Sequence, residues 1–269
     1  MSKKELKKLA EAGFVPGIYN FCDRWCEKCT QKTKCMSFVV GKKMEEKLGT
    51  TFEGGDLQAE KENTWVYLKN IFDSTYEILH DLAEERGIEI EDIYASEDVD
   101  KGLWVDEYNQ ALQEEEDNDL EVTVSEIVQI CIIYENLSEE CLEKVFAVLD
   151  EKEWEPDSFE GKETTDALDK ISWYLDVIQS KIRRALLGHW QRGDVVVRKQ
   201  SENDCNGSAK VALLCMEASD MSWEILKKYC PLEVKKNIIH LQVVLGQLVR
   251  DVEARFPDAR KFRRPGFDL

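Results

Sequence analysis

Proline and glycine are both scarce in this chain, 5 and 14 of 269 residues. These residues punctuate turns, so their rarity argues against many short strands and for long helices. Histidine is scarcer still: His80, His189 and His240 are the only three. No apolar run approaches the roughly 18 to 20 residues that a membrane-spanning helix needs. No apolar stretch follows the basic start Met1-Ser2-Lys3-Lys4-Glu5-Leu6, so a secretory signal is not expected. Positive charge is in deficit, with a net charge of −19. Nucleic-acid binders use Lys and Arg to displace phosphate counterions, so nucleic acid is disfavoured as the main partner. The acidic balance is expected to serve solubility. There is no Walker A loop, no G-x-G-x-x-G after a strand and no G-x-S-x-G elbow.

What is present is ample apolar material. Hydrophobic residues make up 43% of the chain, enough for a substantial core in one large domain or two small ones. Apolar residues recur at three- and four-residue spacings, which predicts helices over 3–12, 36–48, 56–86, 101–116, 126–135, 139–151, 165–187, 208–228 and 232–255. Trp65, Leu68, Phe72, Leu79 and Leu82 mark the buried stripe of the third. Ser125 and Ser138 suit N-caps, and Gly87 and Gly188 suit helix ends. Val195-Val196-Val197 is one short candidate strand, and a lone strand makes no sheet. The expected class is all-α, a multi-helix bundle of seven to nine helices with a short N-terminal cysteine-rich metal-binding segment. The expected organisation is a helix and cysteine knuckle over 1–50, a helical bundle over 51–256 and a basic tail over 257–269.

The nine cysteines are not evenly spread. Cys22, Cys26, Cys29 and Cys35 fall within fourteen residues at the spacing C-x3-C-x2-C-x5-C, while the other five are scattered. The odd and mostly unpatterned count leads to the expectation of a reducing, cytoplasmic setting, where such a cluster is a metal or redox candidate rather than a disulfide pair. Thiolates are soft ligands that suit Zn²⁺ or iron–sulfur iron. Neighbouring lysines and Arg24 would lower the thiol pKa values and offset the charge of a four-thiolate site. Cys26 and Cys29 form one C-x2-C knuckle, as zinc sites use, but zinc sites usually pair two knuckles across a longer loop. Dense single-segment runs are more typical of [4Fe–4S] ligation, although this loop is rich in charge. Cys22, Cys26 and Cys29 alone resemble the cluster motif of radical S-adenosylmethionine enzymes. That resemblance covers eight residues and implies a partial α/β barrel, for which the alternating strands are missing. It also implies an open iron, which Cys35 would close.

Other groups invite weighing against bland alternatives. Glu77-x-x-His80 places both side chains on one helix face, as di-iron carboxylate bundles require. The partner pair would be Asn237-x-x-His240, which lacks the carboxylate. Asp169, Asp176, Glu217 and Asp220 lie on other helices, and with 55 acidic residues chance matches are expected. A second metal site at Glu77, His80, Glu217 and His240 is therefore set against a surface reading. His80-Asp81 is the dipeptide of HD-type phosphohydrolases, but no upstream histidine exists to complete that site. Asp204-Cys205-Asn206-Gly207-Ser208-Ala209-Lys210 can open a helix and bind an anion, or simply cap it. Trp173-Tyr174 and Trp223 read as core, and Lys181, Arg183 and Arg184 as a solvated face.

The leading expectation is a metal-binding helical protein whose four cysteines hold structural Zn²⁺. It would act by binding or scaffolding toward a protein or small-molecule partner that the sequence does not name. The alternatives are an iron–sulfur redox protein using the same cysteines in a [4Fe–4S] cluster, and a metal-dependent enzyme with the carboxylate–histidine site.

Overall fold

Sparse punctuation and long amphipathic stretches leave the backbone one economical way to satisfy its amides, which is the helix. The computed structural model describes residues 13–48, 76–81, 84, 125–151, 158–192 and 204–268, and among these every regular element is helical and no strand occurs. The chain divides into two compact units. One comprises Met1–Asn20, Trp25–Asp100 and Pro265–Leu269, the other Phe21–Arg24 and Lys101–Arg264.

In the first unit the breaker residues act as expected. Gly13 and Gly17 take positive φ values of 83° and 74°, which only glycine adopts without strain. They let the chain turn through a 3-10 turn at Ile18–Asn20. Val15 N–H then donates to the Lys34 carbonyl at 3.0 Å. A second 3-10 turn, Lys32–Lys34, leads into helix α1, Met36–Leu48, at the predicted boundaries. Phe14 and Ile18 are buried. Gly266 closes on Ile18, whose Cδ1 lies 2.7 Å from where a Cβ would stand. Residues 76–81 and Glu84 are helical, within the predicted 56–86 helix, and Ile78 is buried. Trp65, Leu68, Phe72 and Leu82 lie outside the described residues, as do the predicted helices 3–12 and 101–116 and the candidate strand.

Among the described residues the second unit holds four long helices. Helix α2, Glu126–Glu151, buries Val128, Cys131, Tyr134, Ser138, Leu142, Val145 and Leu149, a stripe at three- and four-residue spacing. It replaces the two helices expected either side of Ser138. That serine is buried, and its hydroxyl donates to the Tyr134 carbonyl one turn back at 2.7 Å rather than capping a new helix. Helix α3, Phe159–Arg192, starts earlier than predicted because Ser158 Oγ accepts the Gly161 N–H at 2.9 Å. It also runs past Gly188, which is a contact glycine rather than a stop: Cys205 Sγ lies 3.0 Å from its would-be Cβ. Helix α4, Asp204–Tyr229, and helix α5, Leu232–Arg255, are joined by Cys230-Pro231 alone.

Helix α3 packs along α4, α4 on α5, α5 on α2 and α2 on α3, closing a ring of four helices. Ile171, Ile178, Leu213, Met216, Leu226 and Ile238 fill its centre. Trp223 is fully buried, as predicted for core, and its indole N–H donates to the Tyr134 hydroxyl at 3.2 Å, whereas Trp173, read as core with it, is exposed. Beyond Arg255 the chain makes a 3-10 turn, Ala259–Lys261, against α4. It buries Phe256, Ala259 and Phe262, apolar residues that the charges around them conceal in the sequence.

Candidate metal centre and its surroundings

Three of the four clustered cysteines belong to the first unit, where short turns order them. The Cys29 N–H donates to the Cys26 carbonyl at 3.3 Å, closing the C-x2-C stretch into a turn. The Gln31 N–H then donates to Cys29 Sγ at 3.4 Å. Cys35 is the residue before α1, and its carbonyl accepts the Val39 N–H at 3.1 Å. Cys26, Cys29 and Cys35 are all partly exposed. The Lys28 ammonium stands 3.9 Å above the Trp25 ring, holding a cation beside the turn.

Cys22 belongs to the second unit, and both of its neighbours in sequence are anchored there. On one side Phe21 is buried with its ring 4.8 Å from that of Phe262, both pressed on Gly207 at the start of α4. On the other side Asp23 is gripped by α3: Trp173 Nε1–H donates to its carbonyl at 2.9 Å and the Tyr174 hydroxyl to its carboxylate at 3.2 Å. Burial and the Asp23 charge push the Tyr174 hydroxyl's pKa up, so it stays a donor. Arg24 follows at φ 59°, a left-handed conformation that is uncommon outside glycine.

The helices opposite this anchored segment carry unexpected charge. Lys181 on α3 is only 3% exposed, which corrects its assignment to a solvated face. Its neighbour Arg184 is half-buried and makes a two-pronged pair with Asp204, at 2.9 and 3.0 Å. Burial lowers the Lys181 ammonium's pKa most; Cys22 opposes that shift, Arg184 and Arg24 reinforce it, and Cys215 opposes it. Cys215 on α4 is buried, and burial and Asp23 raise its thiol pKa while Lys181 and Arg264 lower it. Lys181 was legible in one respect. It falls in step with Tyr174, Ile178 and Ala185, the core stripe of its own helix.

The remaining cysteines behave as core. Cys131, Cys141, Cys205, Cys215 and Cys230 are buried, and burial first of all pushes Cys131 up to about 12 and Cys141 up to about 11. Thiols held protonated in this way are poor ligands and nucleophiles. The second predicted set is exposed throughout: Glu77 and His80 in the first unit, Glu217 on α4 and His240 on α5. Glu217 is engaged by Arg260, which also pairs with Glu253. The stretch Asp204–Lys210, the first turns of α4, is no anion cradle. Asp204 is bound to Arg184, the rings of Phe21 and Phe262 cover Gly207, and the Lys210 ammonium donates to the Phe262 carbonyl. Among the described residues no group of three or more His, Cys, Asp or Glu side chains is gathered to hold a metal ion. Among them too, no helix is long and apolar enough to cross a membrane. Comparison with protein-family models, curated proteins and solved structures found no match.

Proposed function

We propose that Cys22, Cys26, Cys29 and Cys35 bind one metal ion, structural Zn²⁺, and that the protein acts as a metal-stabilised helical binding or scaffolding protein. The observation that carries this reading is the division among the nine cysteines. Five are buried in the helical unit, while the four clustered ones are partly exposed on short turns within fourteen residues. The Gln31 N–H directed at Cys29 Sγ fixes that sulfur within its turn. Thiolate sites commonly assemble on binding, so the free energy of coordination becomes folding free energy. A four-thiolate site is closed, which suits structure rather than hydrolysis.

One observation favours iron–sulfur as the second reading. All four ligands come from one dense segment, the pattern typical of [4Fe–4S] ligation, and an electron-carrying role would follow. The carboxylate–histidine enzyme reading has no such support, since Glu217 is occupied by Arg260.

Elemental analysis of anaerobically purified protein decides between these. One zinc per chain and no visible colour supports the leading reading; a brown protein containing iron and sulfide supports the second. In either case Cys35→Ser should deplete the metal. A Cys35→Ser protein retaining the full metal content, or a wild type free of both metals, would refute the closed four-cysteine centre.

A further inference from the structure

Among the described residues the four most exposed large apolar side chains all lie on one helical hairpin. Met221 on α4 and Leu232, Ile239 and Val243 on α5 are 69%, 69%, 52% and 62% exposed. Single exposed apolar residues are ordinary, but a row of them marks a contact surface. Helix α5 already has one apolar stripe, Val234, Ile238, Leu241, Leu245, Leu248 and Val252, which packs in the core. Leu232, Ile239, Val243 and Gly246 form a second row at helical spacing on the opposite side. The core accounts for the first stripe and leaves the second without a partner in its own unit. Gly246 is not demanded by the fold, because outside its own helix backbone a Cβ there would meet Arg250 Nη1 alone, at 3.7 Å. Alanine would hold the helix better, whereas glycine leaves room for another backbone to come close. The two helices share this face. The Gln242 side-chain amide donates to Asp220 Oδ1 at 2.8 Å and to Glu224 Oε1 at 2.9 Å, and Lys227 Nζ donates to Gln242 Oε1 at 3.2 Å. That bridge ties α4 to α5 beside Met221 and Val243.

We propose that the outer face of the α4–α5 hairpin is where a second copy of this chain docks, making a two-fold dimer. Charge selects that occupant. At a net charge of −19, two copies repel each other overall. Helix α4 has four acidic and three basic residues and α5 three acidic and four basic, so the hairpin alone is neutral. Glu224 and Lys236 each have an ion partner on their own helix, Lys227 and Glu233. A two-fold axis along the hairpin lays α4, with its acidic excess, over α5 of the other copy, with its basic excess, and does so twice. Area suffices as well. A 24-residue helix is about 36 Å long and two side by side are about 20 Å wide, a face of about 700 Å². Each partner in a stable complex of standard size buries about 800 Å². The inference goes beyond the metal-binding reading and does not rest on it.

The test is sedimentation velocity of the full chain across the micromolar range, under reducing conditions that exclude disulfide-linked pairs. Wild type should sediment at twice the 31.2 kDa of one chain. Val243→Arg and, separately, Met221→Arg should each weaken the dimer by about tenfold or more, because each leaves a charge desolvated in the interface. Ile133→Arg, at a 50% exposed apolar position on α2, should leave the dimer intact. All three side chains are largely exposed in the single chain, so circular dichroism should match wild type, and either hairpin variant suffices if the other misfolds. A wild type that stays at 31.2 kDa throughout would overturn the proposal. So would a dimer that survives the hairpin variants, or one that Ile133→Arg dissociates as readily. A monomeric wild type that co-sediments with phosphatidylserine vesicles, and releases them on Val243→Arg, would overturn it by giving the face to a lipid surface.

Discussion

Replacing Phe262 by alanine measures how firmly the C-terminal segment belongs to the helical unit. The ring is fully buried and stacks at 4.8 Å, tilted by 49°, on Phe21. Truncating a buried phenylalanine costs about 3–5 kcal/mol, combining lost transfer energy with the cavity left behind. Part of that cost is the ring pair itself, about 0.5–1.5 kcal/mol. In a domain of this size each kcal/mol lowers Tm by about 2–4 °C, so the melting point should fall by roughly 6–20 °C. The assay is urea unfolding followed by circular dichroism for wild type, Phe262→Ala, Phe21→Ala and the double variant. The single losses should sum to more than the double loss by the ring-pair energy. A Phe262→Ala loss below about 1 kcal/mol would refute the packing, because surface changes fall in that range. Full additivity of the two variants would refute the contact between the rings.

Gly207→Ala should destabilise although alanine gains about 1 kcal/mol of helix propensity, because the new methyl meets the rings of Phe21 and Phe262; a higher melting point would contradict this. Ser138→Ala should change stability by less than about 0.5 kcal/mol, since a hydroxyl bonded one turn back is no cap, whereas a loss of about 1–2 kcal/mol in the same urea assay would restore a helix boundary there. Alkaline pH should unfold the protein. Cys131 and Tyr134 hold their protons to about 12 and Cys141 to about 11, while the unfolded chain releases them near about 8.5 for thiols and about 10 for tyrosine. Raised folded pKa values give stability that is whole below pH 8 and is lost as pH climbs toward 11–12. Cys131→Ala should flatten that loss, and an unchanged slope in a urea series across this range would count against it. Arg260→Gln should cost at most about 1 kcal/mol, because its pairs with Glu217 and Glu253 are exposed.

Helical class was legible because period and punctuation agree along the chain. Helices α1 and α5 begin and end where breakers and apolar spacing place them. The errors came where one residue type does two jobs. Ser138 carries the signature of a cap and is instead a buried back-bonding serine. Gly188 carries the signature of a stop and instead admits Cys205 Sγ. Phe262 was hidden inside a basic stretch, since charge flanking an aromatic says nothing of where its ring packs. Of the candidate site, the cysteine spacing was readable as a pattern, yet among the described residues these thiols are not gathered around one point. Lys181 and the Asp23 clamp were not readable, because they depend on which residues of α3 lie beside a segment some 150 positions away in sequence.

The pairing of Phe21 with Phe262 also orders events in time. The two rings are separated by 241 positions, and closing so long a loop is entropically slower than docking neighbouring helices. During synthesis the cysteine segment leaves the ribosome well before its aromatic anchor does, and helices α2 to α5 are made in the interval. A nascent chain therefore presents Phe21 before either side of its seat, the start of α4 and the Phe262 ring, has been made. Arrival of the C-terminal segment completes that seat and fixes residues 21–24 on the helices last.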